Sequence, residues 1–311
     1  MENNKRFDEV LYAVSDRIRL VLEKLSPTVK ANTCEIRLRN GLPLALTVGT
    51  ETVFLRENGQ TQFHITKDLF KVEKKDLEES FRKICNNSVY AHENELKNGF
   101  IIMKNGCRAG VCGSLSKDGV INDITSLNLR IAREVLGCAN DIVKKYDNSG
   151  LLIAGPPGSG KTTMLRDLIR QISNGNTGKI QRVAVIDSRC EISGSSLGNT
   201  VNDLGQNTDV LITEDKALGI EIAVRTMFPD VIAFDEIGTV AELKGVSDSF
   251  CAGVNIITTA HIGSLAELKT RNVTAALLKS GAIKQIALLP KIHGGYIRMI
   301  ETGEIFREVA I

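Results

Sequence analysis

The sequence predicts an α/β protein in two parts, a smaller N-terminal α+β domain over residues 1–145 and a C-terminal domain over residues 146–311 with a mainly parallel sheet. Three observations carry that expectation. In the second part, short apolar runs (LLIAG, RVAVID, VIAFDE, VNIITTA) alternate with helical stretches, the order of a parallel sheet covered by crossover helices. In the first part, strand-like runs are separated by Asn-Gly turns and accompanied by amphipathic stretches, the pattern of a sheet built locally from hairpins. A chain of 311 residues, 42% of them hydrophobic, also has the length for two cores of roughly 150 residues each.

Taken in order, Phe7, Val10, Leu11, Val14, Ile18, Val21, Leu22 and Leu25 recur three or four apart and predict one amphipathic helix that stops at Ser26-Pro27. Its apolar face reads most simply as a core face, with a docking element as the alternative. CEIRLR (Cys34 to Arg39) and PLALTV (Pro43 to Val48) read as strands joined at Asn40-Gly41, and TVFL continues the sheet up to Asn58-Gly59. A helix is expected from Asp76 to Cys85, with Leu77, Phe81 and Ile84 on one side. Strands follow at Gly99 to Met103 and Cys107 to Cys112, joined through Asn105-Gly106. LNLRIAREV (Leu127 to Val135) reads as a last strand running into a helix, and YDNSG (Tyr146 to Gly150) supplies the turn residues of a domain boundary. Beyond it the helical stretches are TTMLRDLIRQI, KALGIEIAVRTM and SLAELKTRNVTAALLKS.

The chemistry concentrates in the second part. Gly155-Pro156-Pro157-Gly158-Ser159-Gly160-Lys161-Thr162 fits G-x-x-x-x-G-K-[ST] at every fixed position, directly after one strand and before a helical pattern. Glycines let successive backbone N–H groups converge on phosphate oxygens, and the helix start adds partial positive charge. Lys161 is placed to reach the β- and γ-phosphates of a nucleotide, the Thr162 hydroxyl to ligate Mg²⁺, and Thr163 joins the loop as a nucleotide-contacting residue. Val231 to Phe234 followed by Asp235 and Glu236 reads as a buried strand delivering two carboxylates to the sheet edge where ligands sit. Asp235 would hold Mg²⁺ through water, and Glu236 would orient or deprotonate the attacking water. Asp187 and Glu191, with Arg189 between them, follow another strand and read either as a solvated loop or as a second acidic pair. In the second case Asp187 joins the Mg²⁺ ligands and Glu191 becomes an alternative general base. His261, at the end of NIITTAH after Thr258 and Thr259, reads as a structural histidine or as a sensor of the γ-phosphate.

Composition narrows the alternatives. Lys+Arg 39 against Asp+Glu 37 gives a formal charge of +2, too small a field to draw nucleic acid or an acidic membrane by itself. There is no Trp and only 5% aromatic residues to stack on bases, which argues against a nucleic-acid-dependent motor. The seven cysteines are scattered without a C-x-x-C pair, as expected of free thiols in a reducing compartment, and Cys107 and Cys112 in GCRAGVCG read as strand residues rather than metal ligands. MENNKRFDEVLY is too polar for a secretory leader, and 18 apolar residues never run together. The expectation is a cytoplasmic protein that touches membranes only at their surface.

The phosphate loop, the D-x-R-x-E box from Asp187 to Glu191, the strand ending DEIGT and the TTAHIGS box together resemble the secretion-superfamily ATPases, the hexameric motors of type II and type IV secretion and of type IV pili. NGF, GCRAGVCG, ITSLNLRIARE, GPPGSGKTTMLRDL, VIDSRCEISG, RTMFPDVIAFDEIGT and TTAHIGS, in that order, are similar to a branch of endospore-forming bacteria, from about Glu35 to about Glu301. The resemblance implies a RecA-like P-loop ATPase domain behind a smaller α/β domain. It also implies a homo-oligomeric ring, a hexamer, with ATP and Mg²⁺ at the subunit interfaces. The implied partners are membrane-embedded components of the channel linking mother cell and forespore, and the implied place is the cytoplasmic face of the mother-cell membrane. By motif position, Lys161 and Thr162 bind nucleotide and Mg²⁺, Asp235 and Glu236 form Walker B, Asp187 and Glu191 the aspartate box, and His261 the histidine box. The secretion motors usually carry Gly where this chain has Asp235, so Glu236 and Glu191 both stand as the residue that activates water. Ring ATPases also need a positive charge from a neighbouring subunit. Arg108, Arg130, Arg133, Arg189, Arg225 and Arg271 are the candidates, with Arg130 and Arg133 favoured by their place at the domain junction. A low-turnover nucleotide-binding scaffold is the remaining alternative.

Overall fold

The computed structural model describes residues 2–103, 106–116, 121–131, 134–194, 200–291 and 295–307, which divide into one compact unit up to residue 131 and a second from residue 134 onward. The first unit holds strands β1 (Thr33–Arg39), β2 (Ala45–Val48), β3 (Glu51–Leu55), β4 (Thr61–Gln62), β5 (Phe100–Ile102), β6 (Arg108–Leu115) and β7 (Ile121–Arg130). They form one antiparallel sheet in the order β4-β3-β2-β1-β7-β6-β5. Side chains alternate across it: Ile36 and Leu38 of β1 are buried while Arg37 is exposed. Its helices are α1 (Glu2–Asp8), α2 (Asp16–Glu23), α3 (Pro27–Asn32), α4 (Lys74–Ile84) and α5 (Glu93–Lys97).

The single N-terminal helix expected from Phe7 to Leu25 is broken. A 3₁₀ turn at Leu11–Ala13 interrupts it, and Ser15 starts α2 by accepting the Ile18 N–H at its hydroxyl. Pro27 likewise begins α3 instead of ending a helix: Ser26 caps Val29, and Pro27 occupies the first turn, where no N–H is needed. The apolar positions are core nonetheless, since Phe7, Val10, Leu11, Val14, Ile18, Val21, Leu22 and Leu25 all lie in the buried cluster with Ile36, Leu77 and Leu129. The last strand is also longer than expected, running from Ile121, and the described residues after Arg130 form no helix until Asn140.

The second unit contains β8 (Leu151–Gly155), β9 (Val183–Asp187), β10 (Thr208–Ile212), β11 (Val231–Phe234), β12 (Asn255–His261), β13 (Gln285–Leu288) and β14 (Arg298–Glu301) in the order β10-β9-β11-β12-β8-β13-β14. All neighbours are parallel except the β13–β14 edge pair. Successive residues go to opposite faces and both faces are buried, which is why these strands read as continuous apolar runs. Leu152, Ala154, Ile232 and Phe234 face one core, with α8 (Lys216–Thr226), α9 (Val240–Cys251), α10 (Leu265–Thr270), α11 (Asn272–Lys279) and α12 (Thr302–Arg307). Leu151, Ile153, Val231 and Ala233 face the other, with α6 (Asn140–Val143) and α7 (Lys161–Ser173). The stretch SLAELKTRNVTAALLKS is two helices, parted at the extended Arg271. Tyr146 is buried in the α7-side core, so the YDNSG turn lies inside this unit. No helix among the described residues is long and apolar enough to cross a membrane.

One consequence of the strand order governs the site. The strand carrying Asp235 and Glu236 is not the neighbour of the strand that leads into the phosphate loop; β12 lies between them, paired through Ile257–Leu151 to His261–Gly155 on one side and Asn255–Val231 to Ile257–Ala233 on the other.

Candidate nucleotide site

The loop from Gly155 to Gly160 turns from β8 into α7 using two left-handed glycines, Gly158 at φ +74° and Gly160 at φ +86°. Gly160 occupies the N-cap of α7, where a side chain would be strained, and Gly158 faces open space. Lys161 is only 5% exposed. Its ammonium donates to the carbonyls of Gly155 at 3.0 Å and Pro156 at 2.9 Å, and meets His261 Nδ1 at 2.9 Å. Burial holds its pKa below the ordinary lysine value, with the Glu236 and Asp235 carboxylates opposing. The Ser159 hydroxyl is buried without a hydrogen-bond partner among the described residues, a donor directed within the loop. Thr162 and Thr163 are half-buried in the first turn of α7.

His261 connects the loop to the acidic strand. An ammonium can only donate, so His261 Nδ1 accepts and the ring proton belongs on Nε2, which faces Glu236 Oε2 at 3.7 Å. Asp235 is fixed from the intervening strand: Thr259 Oγ1 donates to Asp235 Oδ1 at 2.7 Å, and Thr258 Oγ1 donates to the Asp235 carbonyl at 3.0 Å. Both threonines are fully buried. The turn after Glu236 is held by two residues that the sequence reading did not single out. Lys216 donates to the Glu236 carbonyl, and Glu242 accepts the Gly238 and Thr239 N–H groups at 2.7 and 3.2 Å. Thr239 and Glu242 form a capping box at the start of α9, a T-x-x-E signal legible in the sequence; Lys216 had no such signal.

Asp187 and Glu191 have different surroundings. Asp187, at the end of β9, is 2% exposed and accepts from the N–H groups of Glu191, Ile192 and Ser193 and from the Ser193 hydroxyl, at 2.7 to 3.1 Å. Its carboxylate is thus engaged in shaping the loop that carries Glu191. The pairing of Phe234 with Ile186 brings the ends of β11 and β9 side by side, so Asp187 and Asp235 leave the sheet at the same edge.

The arginine candidates are dispersed. Arg108 stacks over the Phe100 ring at 4.1 Å, and Arg130 is exposed at the end of β7. Arg189 is exposed, Arg225 is exposed and paired with Glu221, and Arg271 pairs with Glu267 at 3.1 Å while donating to the His261 carbonyl. Arg133 lies outside the described residues.

A parallel sheet with a glycine loop between one of its inner strands and a helix, and acids on the strand beyond the next, defines the class as a RecA-like P-loop NTPase fold. The pilus retraction motor PilT, solved with bound ADP, superposes with a TM-score of 0.60 at 15% identity, covering 90% of this chain and 84% of that one. The ATPase DotB of Yersinia pseudotuberculosis does so at 0.59 and 12%, covering 89% and 78%. At these identities the likeness is one of fold. The sequence profile of the family described as Sporulation stage III, protein AA matches residues 3–302. Stage III sporulation protein AA of Bacillus subtilis (strain 168) is 33% identical over 268 residues, 84% of this chain and 83% of the relative. The chain belongs to this sporulation family.

Proposed function

We propose that the protein is an Mg²⁺-dependent ATPase that works as a ring of six subunits, by likeness to the secretion motors, and drives a channel complex in the membrane between mother cell and forespore. The observation that carries the reading is the bridge made by β12: His261 touches Lys161 on one side and faces Glu236 on the other, so phosphate loop and acidic strand form one connected site.

Each residue then has a task. Lys161 exchanges its loop carbonyls for β- and γ-phosphate oxygens, while the loop N–H groups and the Ser159 hydroxyl supply further donors. Mg²⁺ suits a site with one carboxylate and one hydroxyl, because it keeps several waters and takes its other ligands from phosphate; Thr162 and, through water, Asp235 would hold it, and it would neutralise charge on the phosphate oxygens. Asp187 is assigned to its loop rather than to the metal, since four donors already converge on it. Glu236 orients or deprotonates the attacking water, with Glu191 as the second carboxylate of the site, and His261 relays the state of the γ-phosphate to Lys161 and Glu236. Arg130 or Arg133 would supply positive charge to a neighbour's nucleotide, with the two units turning against each other during turnover.

The test is ATP binding and turnover by the Lys161→Ala variant. Loss of both supports the reading; wild-type turnover without Lys161 contradicts it. Stimulation of the wild type by single-stranded DNA or RNA would instead place the protein among nucleic-acid-dependent motors.

A further inference from the structure

The chain leaves β11 and β12 through the same short pattern. Glu236-Ile237-Gly238 and His261-Ile262-Gly263 each set a site residue, a buried isoleucine and a glycine in succession. Each tripeptide is gripped in the same way by a cation and a carboxylate from neighbouring helices. At the first, the Lys216 ammonium donates to the Glu236 carbonyl; Glu242 accepts the Gly238 N–H at Oε2, 2.7 Å away, while its Oε1 lies 3.9 Å from the same ammonium. At the second, Arg271 donates to the His261 carbonyl; Glu267 accepts the Gly263 N–H at Oε1, 3.2 Å away, while its Oε2 pairs with Arg271 at 3.1 Å. In both, the cation holds the carbonyl of the site residue and its partner carboxylate holds the N–H two residues later.

Both grips are anchored in the fold. Lys216 is the first residue of α8, which lies so close to β9 that a Cβ on Gly219 would stand 2.7 Å from Ile186 and from Thr213. Glu242 belongs to the capping box of α9. Glu267 lies in the first turn of α10, and Arg271 starts α11, its carbonyl accepting the Ala275 N–H at 2.8 Å. Ile237 and Ile262 seat the two turns in one buried cluster. The pairs differ in solvation: the side chains of Lys216 and Glu242 are 16% and 12% exposed, those of Arg271 and Glu267 50% and 37%. Solvent screens the first pair less, so it is the stiffer of the two.

We propose that Lys216–Glu242 and Arg271–Glu267 are matching positioning pairs. The first fixes the backbone from which the Glu236 side chain acts, and the second the backbone from which His261 meets Lys161 and faces Glu236. Arg271 thereby has a task within its own subunit, in place of the charge for a neighbour's nucleotide that its sequence position suggested. The proposal rests on the ATPase reading and on Glu236 taking part in it.

The test uses steady-state ATP turnover by the full chain for wild type, Lys216→Met, Lys216→Arg, Arg271→Met, Glu236→Gln and the Lys216→Met/Glu236→Gln double variant, with ADP affinity and melting temperature for each. Lys216→Met should lower kcat about 10- to 100-fold and leave KM and ADP affinity near the wild type, because a small displacement of a reacting group costs rate rather than binding. Lys216→Arg should recover part of that loss, and Arg271→Met, at the more screened pair, should lose only about 2- to 10-fold in kcat. Because Lys216 acts through Glu236, Lys216→Met should cost less than about 3-fold more once Glu236→Gln is in place. The proposal is overturned if the two losses multiply in the double variant, if the Lys216→Met loss appears in KM instead of kcat, or if either Lys216→Met or Arg271→Met keeps full turnover while Glu236→Gln is slow. Each of these results leaves the ATPase reading intact. Full turnover in Glu236→Gln removes the group to be positioned and overturns the proposal too. A wild type that binds ATP with Mg²⁺ but never hydrolyses it contradicts the reading itself, and the proposal falls with it. Should Lys216→Met fail to fold, the same cycle run with Glu242→Gln decides the matter: one amide oxygen cannot meet both the ammonium and the Gly238 N–H, so the loss should again fall on kcat and vanish in the Glu236→Gln background.

Discussion

Thr259→Val isolates the carboxylate of Asp235 from its backbone. Thr258 keeps its hydroxyl on the Asp235 carbonyl at 3.0 Å, so the main chain at the end of β11 stays in place while the 2.7 Å bond to Oδ1 is lost. Valine has the shape of threonine, and the site is fully buried, so the change removes one donor without opening a cavity. A hydrogen bond to a charged group contributes about 1.5–3 kcal/mol, and leaving the acceptor unpaired exposes that whole amount. At about 1.4 kcal/mol per tenfold, the orientation of Asp235 is weakened by a factor of about 10 to 100. The assay is ATP turnover as a function of Mg²⁺ concentration. The half-saturating Mg²⁺ concentration should rise by about that factor, in line with the effect of removing groups that orient metal ligands, and Thr259→Ser should restore it. An unaltered Mg²⁺ response in Thr259→Val would refute the assignment of Asp235 to the metal.

Three further outcomes follow from the geometry. At Gly150 an added Cβ would stand 1.7 Å from the Ala282 carbonyl oxygen, and the Gly150 carbonyl accepts from Lys284 and Gln285; Gly150→Ala should force β8 and β13 apart and cost about 1–3 kcal/mol or more, read as a lower melting temperature. Gly160→Ala places a side chain at φ +86° and should cost about 1–2 kcal/mol of stability, with a matching loss of ADP affinity measured by calorimetry. In the first unit, burial pushes the Asp76 carboxyl up, but Arg17, the Glu73 N–H and the Ser15 hydroxyl outweigh it and hold its pKa below the ordinary value of 3.8. A group with a lowered folded pKa stabilises the fold above its unfolded value and loses that contribution as pH falls through the folded one. Asp76→Asn should therefore melt earlier than the wild type at pH 7, by a margin that narrows in acid below about pH 4; a margin independent of pH would show that packing rather than charge is at stake.

The fully buried strands were legible because their runs of Leu, Ile, Val and Ala have nowhere to go but between two layers, and the phosphate loop because its glycines and lysine have fixed spacing. Other elements lacked such a signal. The edge strand β10, TDVLI, exposes Asp209 and Ile212 and has neither a continuous apolar run nor clean alternation. Helix α9 carries Gly245 and a mixed face, and only its capping box marks it. The break in the N-terminal helix turned on Ser15, a residue equally at home inside a polar helix face; its role as a cap is set by Asp76 and Ser80, more than 60 residues away. In the site, the sequence brought Lys161, Asp235, Glu236 and His261 forward as candidates, but their connection depended on β12 lying between β8 and β11, a tertiary fact. Asp187 read as a metal ligand for the same reason: spacing shows that a carboxylate ends a strand, while the four donors that engage it appear only when the loop folds back.

The central claim, a ring that hydrolyses ATP, is tested most directly by measuring ATP turnover and oligomeric mass in the same samples, with and without ATP and Mg²⁺, for the wild type and Glu236→Gln. The expected result is a wild type that turns over ATP and assembles with nucleotide, and a variant that binds and assembles but turns over slowly. Full turnover in Glu236→Gln would contradict the assignment of that carboxylate and move the role to Glu191; nucleotide binding with neither turnover nor assembly in the wild type would contradict the motor itself.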